Sequence, residues 1–327
     1  MSQAMTDDGA VRAPQQPAAT TAGPDRGGKR RTRRRPGGYL LLIPTLAVLI
    51  LGLGYPLVRQ VMMSFQEFGL AQQFGTADPG WIGLGNYVEI LTDPTTWAVI
   101  VRSVVFCFVC AFVTMTIGMA VALLMRQVST AARIILQVSM LAAWATPLIA
   151  SLTVWNWLFD QRYGVVNWLL VKVGFERFDD YSWLANSTTF FLVAGVIVIW
   201  MSVPFVVFSL YAALTQVPEE TIEAAQLDGA SRTQRFRHII LPTIRPVLSI
   251  VMLLQIVWDL RVFAQINYLQ SAGGIRSETH LLGTYLYQLG IGQSAYGVAS
   301  AVAMVMLALT LALTFGYVRS LLREERA

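Results

Sequence analysis

Apolar residues in this chain fall into long runs rather than alternating with polar ones. Several runs reach about 20 residues, the length a helix needs to cross the hydrocarbon core of a bilayer. They predict six helices, at about residues 39–58, 97–125, 134–159, 188–214, 244–263 and 295–318. Pro147 and Pro204 fall inside two of these runs, where proline bends a helix. Residues 1–36 break the pattern. They are rich in Ala, Pro, Gln, Thr, Gly and Arg, and such a segment buries too little apolar surface to order itself. The reading is an all-α membrane protein with six transmembrane helices. It has a disordered basic leader (1–36), one transmembrane domain (37–320) and a short tail (321–327).

Composition agrees. Of 327 residues, 55% are hydrophobic and 13% charged, whereas soluble domains carry about 25% charged residues. The net charge of +5 does not point to nucleic acid, because the arginines cluster at the ends of apolar runs. With the N-terminus inside, 17 Lys and Arg lie on the cytoplasmic side and 7 on the other. That asymmetry puts both termini in the cytoplasm of a multi-pass plasma-membrane protein. The run from Lys29 to Arg35 resembles the start of a signal peptide, but the apolar stretch after it is too long and lacks a cleavage pattern. An uncleaved first helix is expected. Trp81, Trp157, Trp168 and Trp183 suit the membrane–water boundary. Cys107 and Cys110 sit in an apolar run at helical spacing and read as packing residues. His238 and His280 lack ligand spacing, so no metal site is expected. No clustered His, Asp, Glu or Cys suggests a membrane-embedded enzyme.

The segment between the fourth and fifth helices, Val217 to Pro242, is polar and carries several local signals. Pro218 suits the first turn of a helix, and Glu219 and Glu220 complement its dipole. Gly229 suits the left-handed position that ends a helix. Ser231 followed by Gln234 forms a capping box for a second helix, which Pro242 is expected to stop or kink. Ala224 and Ala225 give the first helix a low profile. Such a helix can lie in a groove on a partner, with Ile222 as apolar anchor and Glu223 as charge handle.

These residues carry a resemblance. Glu223-Ala224-Ala225, three residues, Gly229, nine residues, Ile239, one residue, then Leu241-Pro242 is similar to the signature loop of binding-protein-dependent ABC importer permeases. Asp228 and Phe236 match the form usual in sugar permeases. Tyr55-Pro56, Gly83-Leu84 with Asn86-Tyr87, Gly164 and Asn167, and Tyr296-Gly297 resemble further elements of the maltose and glycerol-3-phosphate type. The resemblance spans about residues 39–320.

It implies a coupling-helix loop docked on a separate ATPase dimer, which binds ATP and magnesium. It also implies a second homologous permease subunit, in a heterodimer, and an extracytoplasmic sugar-binding protein. The chain has only Lys29 and Lys172 and no phosphate-cradling Gly-x-x-x-x-Gly-Lys-[Ser/Thr] motif. It is therefore expected to hold no cofactor and to be no enzyme itself. A sugar pathway needs aromatic faces and hydroxyl-binding polar groups. The residues that could supply them are Trp144, Trp155, Asn156, Trp200, Gln255, Trp258 and Asp259. Asp259 stands out, because an ionisable residue in a membrane segment is a functional candidate by default, and Arg261 is a nearby partner for it. The expected cargo is a di- or oligosaccharide. Glycerol phosphate or a polyol is the alternative within the class, and an ion-coupled secondary transporter the alternative outside it.

Overall fold

Polar side chains set where the long helices begin. A computed structural model describes residues 43–324. The readings for the leader, for residues 39–42 and for the end of the tail lie outside these residues. The chain divides into two units, 1–53 and 54–327. In the first, a helix α1 (Ile43–Leu49) runs into a π turn (Ile50–Gly54). Residues 43–53 are all apolar but for Thr45 and all exposed, which suits a lipid surrounding.

The second unit opens with α2 (Tyr55–Ser64). The Asp93 side chain accepts from Thr95 N–H at 2.9 Å, and Pro94 fills the first position of α3 (Pro94–Gln127). The same N–H holds the Asp93 carboxyl below the usual carboxylate range. Ser129 caps α4 (Thr130–Ala145) and Asn186 caps α6 (Ser187–Leu214). Five helical stretches are long and apolar enough to cross a membrane: Ile43–Ser64, Pro94–Gln127, Ser187–Leu214, Arg232–Ser271 and Tyr296–Arg319. A sixth crossing exists if α4 and α5 (Leu148–Leu158) count as one, since they meet at 102°.

That bend corrects the expectation of a single third helix over 134–159. Thr146 is extended (φ −67°, ψ 130°), as the residue before a proline prefers, and Pro147 cannot donate the hydrogen bond that would continue the helix. Pro204 behaves differently and stays inside the unbroken α6.

The core is built around α3 and α6. Phe106 and Cys110 of α3 pack with Phe190, Val193, Ala194 and Ile197 of α6. Nearer the other end, Met115, Ala122 and Met125 pack with Val206, Val207, Leu210 and Leu214. Cys107 faces α9 (Leu241–Leu260), its thiol donating to Ile256 O at 3.3 Å. Both cysteines are buried and unpaired with each other, as packing residues should be.

Gly118 of α3 lies tight against Val206 of α6. A Cβ placed there would lie 2.9 Å from Val206 Cβ, and β-branched valine has little rotamer freedom to retreat. Gly118→Ala should therefore cost about 1–3 kcal/mol as overpacking. Thermal unfolding of the detergent-purified protein checks this, with Val206→Ala in the same chain expected to restore most of the loss.

At the far end of the bundle, α10 (Leu282–Tyr287) and α11 (Tyr296–Glu324) are tied back by polar contacts. Ser103 Oγ accepts from Leu282 N–H at 2.8 Å, and Tyr285 bonds Thr96 at 3.1 Å. Asn86 Nδ2 donates to Ser64 O and Gln66 O, and Gly297 N–H donates to Phe68 O. A two-residue antiparallel pairing, Gln66–Glu67 with Gly80–Trp81, completes this region.

Candidate coupling loop and polar cavity

Between α6 and α9 the chain folds into a helical hairpin. Its first arm is α7 (Glu219–Leu227), with Pro218 at the N-cap rather than within the first turn. Glu219 and Glu220 occupy that first turn. Gly229 turns the chain with φ +82°, a left-handed value that costs residues with a Cβ about 1–2 kcal/mol. The second arm, α8 (Arg232–Arg235), starts with a reciprocal capping box between Ser231 and Gln234. Arg235 Nη1 donates to Gln226 Oε1 at 2.6 Å and joins the two arms.

Pro242 does not stop the second arm, contrary to the reading from sequence. The chain passes through a π turn, Phe236–Ile240, and Pro242 then sits in the first turn of α9. A widened turn leaves room for the proline ring, which would otherwise press on the carbonyl four residues back.

One face of the hairpin is anchored and the other is bare. Ile222, Ile239 and Ile240 are half-buried against the cluster of Met125, Leu214, Val217 and Ile244. Ile222 therefore faces its own protein, which corrects its assignment as an anchor for a partner. Glu223, Ala224, Asp228 and Gly229 are exposed, and Ala225, Phe236 and Leu241 are half-buried. Leu227 is 89% exposed and was missed in the sequence. One helical turn on from Glu223, it is the apolar residue of the bare face, and the i, i+4 spacing was the available signal.

The second group of residues lies on α9. Gln255 and Asp259 are fully buried one turn apart, and Gln255 Nε2 donates to Asp259 Oδ1 at 2.9 Å. Among the described residues, Asp259 Oδ2 and Gln255 Oε1 have no partner. Arg261, the C-cap of α9, is exposed, and no ion pair joins it to Asp259 among the described residues. Asp259 borders a cavity of about 320 Å³ with Ser202, Trp258, Arg261, Phe263 and Gln265. Of the two, only Asp259 borders the cavity, and its orphaned Oδ2 is an acceptor that a further donor would satisfy.

The other candidates do not join this cavity. Trp155 and Trp200 meet edge to face at 5.6 Å between ring centroids. Both line a separate, almost wholly apolar cavity of about 560 Å³ with Ile117, Met140 and Pro204. Val198, Met201 and Ser202 of α6 face the polar cavity, whereas Ile199, Trp200 and Val203 face the apolar one. Asn156 is half-buried beside Trp155, and Trp144 is exposed on α4.

Comparison with known proteins matches the geometry to a family. The model for the inner membrane component of binding-protein-dependent transport systems matches residues 113–323. The diacetylchitobiose uptake system permease protein DasB of Streptomyces coelicolor is 39% identical over 308 residues, 92% of this chain and 93% of that one. The trehalose/maltose transport system permease protein MalF of Thermococcus litoralis is 30% identical, covering 86% and 92%. The fold matches a chain of a bacterial ABC transporter that imports the acidic polysaccharide alginate. The TM-score is 0.75 at 22% identity, over 87% of this chain and 94% of that one. These relatives are transport permeases rather than enzymes. The chain is an integral membrane protein and belongs to the family of inner membrane permease components of binding-protein-dependent ABC transport systems.

Proposed function

We propose that this chain forms half of the transmembrane pathway of an ATP-driven importer for a di- or oligosaccharide. The cargo is delivered by an extracytoplasmic solute-binding protein. The second half is a homologous permease, and a pair of ATPase subunits, holding ATP and magnesium, docks beneath. Both termini face the cytoplasm. One observation carries the reading: the 39% identity to a diacetylchitobiose permease runs over nearly the whole of both chains. The trehalose/maltose relative supports the carbohydrate class.

In this reading the bare face of α7, with Glu223, Ala224 and Leu227 and with half-buried Ala225 at its edge, lies in a cleft on the ATPase. Asp228 and Gly229 form the turn behind it. Phe236, Ile239, Leu241 and Pro242 carry displacement into α9 through the π turn. Because Ile222 and Ile239 pack on the α3–α6 core and Arg235 braces the arms, the hairpin moves as one piece. Nucleotide shifts the pathway between its two states only as far as its affinity for them differs, and α7 transmits that difference. Gln255, Trp258 and Asp259 meet the passing sugar. Trp155, Asn156 and Trp200 lie along the apolar side of the route, with Trp144 at its margin.

The test is reconstitution. Tagged protein should co-purify with an ATPase and a second permease. In vesicles, ATP hydrolysis should rise several-fold when the binding protein carries an acetamido disaccharide, and not when it is empty. No stimulation across a panel of disaccharides would overturn the carbohydrate reading. Uptake driven by an ion gradient without any ATPase would overturn the importer class.

A further inference from the structure

The polar cavity beside Asp259 is bordered by one more group whose hydrogen-bonding capacity the fold leaves largely unused. A short helix, Ala264–Ser271, follows α9, and its Ile266 and Leu269 are fully buried. They share a core cluster with Phe190, Val193 and Ile197 of α6. With that face of the helix fixed, Gln265 is held at the cavity wall with Ser202 and Asp259. Gln265 is half-buried, and its amide makes one hydrogen bond among the described residues, from Nε2 to Met201 Sδ at 3.8 Å. A thioether is a weak acceptor and has no proton to give. The contact therefore sets which end of the amide lies there, the NH2, but holds it loosely.

An amide that braced two helices would meet an oxygen. One that rests on sulfur gains when a better acceptor arrives, since a polar group short of a good partner is costly out of water. The neighbouring group has the opposite need. Asp259 Oδ2 is a buried acceptor without a donor. One cavity of about 320 Å³ borders both side chains, within the range of about 300–1,000 Å³ that suits small ligands. A ligand that gives a proton to one residue and accepts from the other satisfies both, and sugar hydroxyls can do either.

We propose that Gln265 is a specificity-determining residue of the sugar pathway. Its Nε2 leaves Met201 and donates to an oxygen of the passing sugar, while Asp259 accepts from the same sugar. Met201 keeps the donor end of the amide oriented while the pathway is empty. The proposal rests on the carbohydrate reading given above.

The test uses vesicles holding both permeases and the ATPase pair, with the loaded binding protein outside the import face. The probes are the disaccharide of the panel above that wild type takes up, beginning with the acetamido one, and its mono-deoxy analogues. Gln265→Ala should raise KM about 2–10-fold, the loss of one neutral hydrogen bond, and keep the maximal rate. Gln265→Glu keeps the length of the side chain but has no donor when ionised, and it should raise KM at least as much. One analogue should give wild type and Gln265→Ala the same KM, because it lacks the oxygen that Nε2 reaches. Any effect of the missing hydroxyl on the binding protein is common to both chains and cancels. Met201→Leu conserves volume and removes the sulfur, so KM should be no higher than in wild type. If wild type takes up no disaccharide, the carbohydrate reading fails and the proposal with it. Normal uptake by wild type with an unchanged KM in both Gln265 variants overturns the proposal alone. So does an equal shift for every analogue. A rise in KM in Met201→Leu that matches Gln265→Ala also overturns it, since the pair is then a brace between α6 and the short helix.

Discussion

Cells carrying Glu223→Lys should make the protein at normal levels, insert it, and import at least about 100-fold less sugar. Reversing a charge that a formed interface covers costs several kcal/mol, enough for that factor. The substitution should not disturb the fold, because Glu223 is exposed and the opposite side of α7 carries the packing through Ile222. Gly229 gives an internal control on geometry. Its φ is +82° and nothing lies within 4 Å of a built Cβ. Gly229→Ala therefore meets strain but no clash, about 1–2 kcal/mol, and should slow uptake modestly. Gly229→Pro cannot adopt that angle at all, since its ring holds φ near −65°, and should abolish uptake as fully as Glu223→Lys. Paired measurements of uptake and ATP hydrolysis in vesicles check both. Normal uptake by a well-expressed Glu223→Lys chain would refute the docking role of α7.

The parts of this structure that could be read in the sequence are those decided by near neighbours in the chain. Gly229 turns left-handed, and Ser231 and Gln234 cap each other, because those conformations depend on four or five residues. The long apolar runs became the candidate spans for the same reason, since length and composition suffice. Misreadings arose where a distant contact or a compensating distortion decides. Pro242 looked like a stop, but the π turn before it absorbs the ring. Pro147 looked like a kink within one helix, yet the extended Thr146 separates two helices at 102°. The restriction on a residue preceding proline pointed that way. Ile222 looked like a partner's anchor because an isolated amphipathic helix does not reveal which side its own protein claims. The candidate pathway residues split for a related reason. Asp259 and Trp200 both lie in apolar helices, but α6 presents different faces to the two cavities, and helical phase alone does not say where the neighbours stand.

Asp259→Ala is the second change expected to act strongly, and its effect should fall on KM. The carboxylate holds one hydrogen bond, from Gln255, and leaves Oδ2 without a partner although the side chain is only 2% exposed. A buried acceptor in that state accepts readily from a sugar hydroxyl or amide N–H. A buried sugar hydroxyl left without its partner costs about 1–3 kcal/mol, so removing the carboxyl group should raise KM about 5–150-fold. Asp259→Asn keeps the shape but replaces one acceptor oxygen with a donor. It should behave almost as badly, because the flip that keeps the Gln255 bond puts an NH2, which can only donate, where the free acceptor Oδ2 stood. The decisive comparison pairs the protein change with a change in the sugar. A set of mono-deoxy disaccharides should contain one analogue that wild type and Asp259→Ala transport with the same KM, because the lost hydroxyl is the one that Asp259 receives. If Asp259 only braced α9 through Gln255, the substitution would lower the melting temperature and yield. It would then shift KM equally for every analogue, and no member of the set would close the gap.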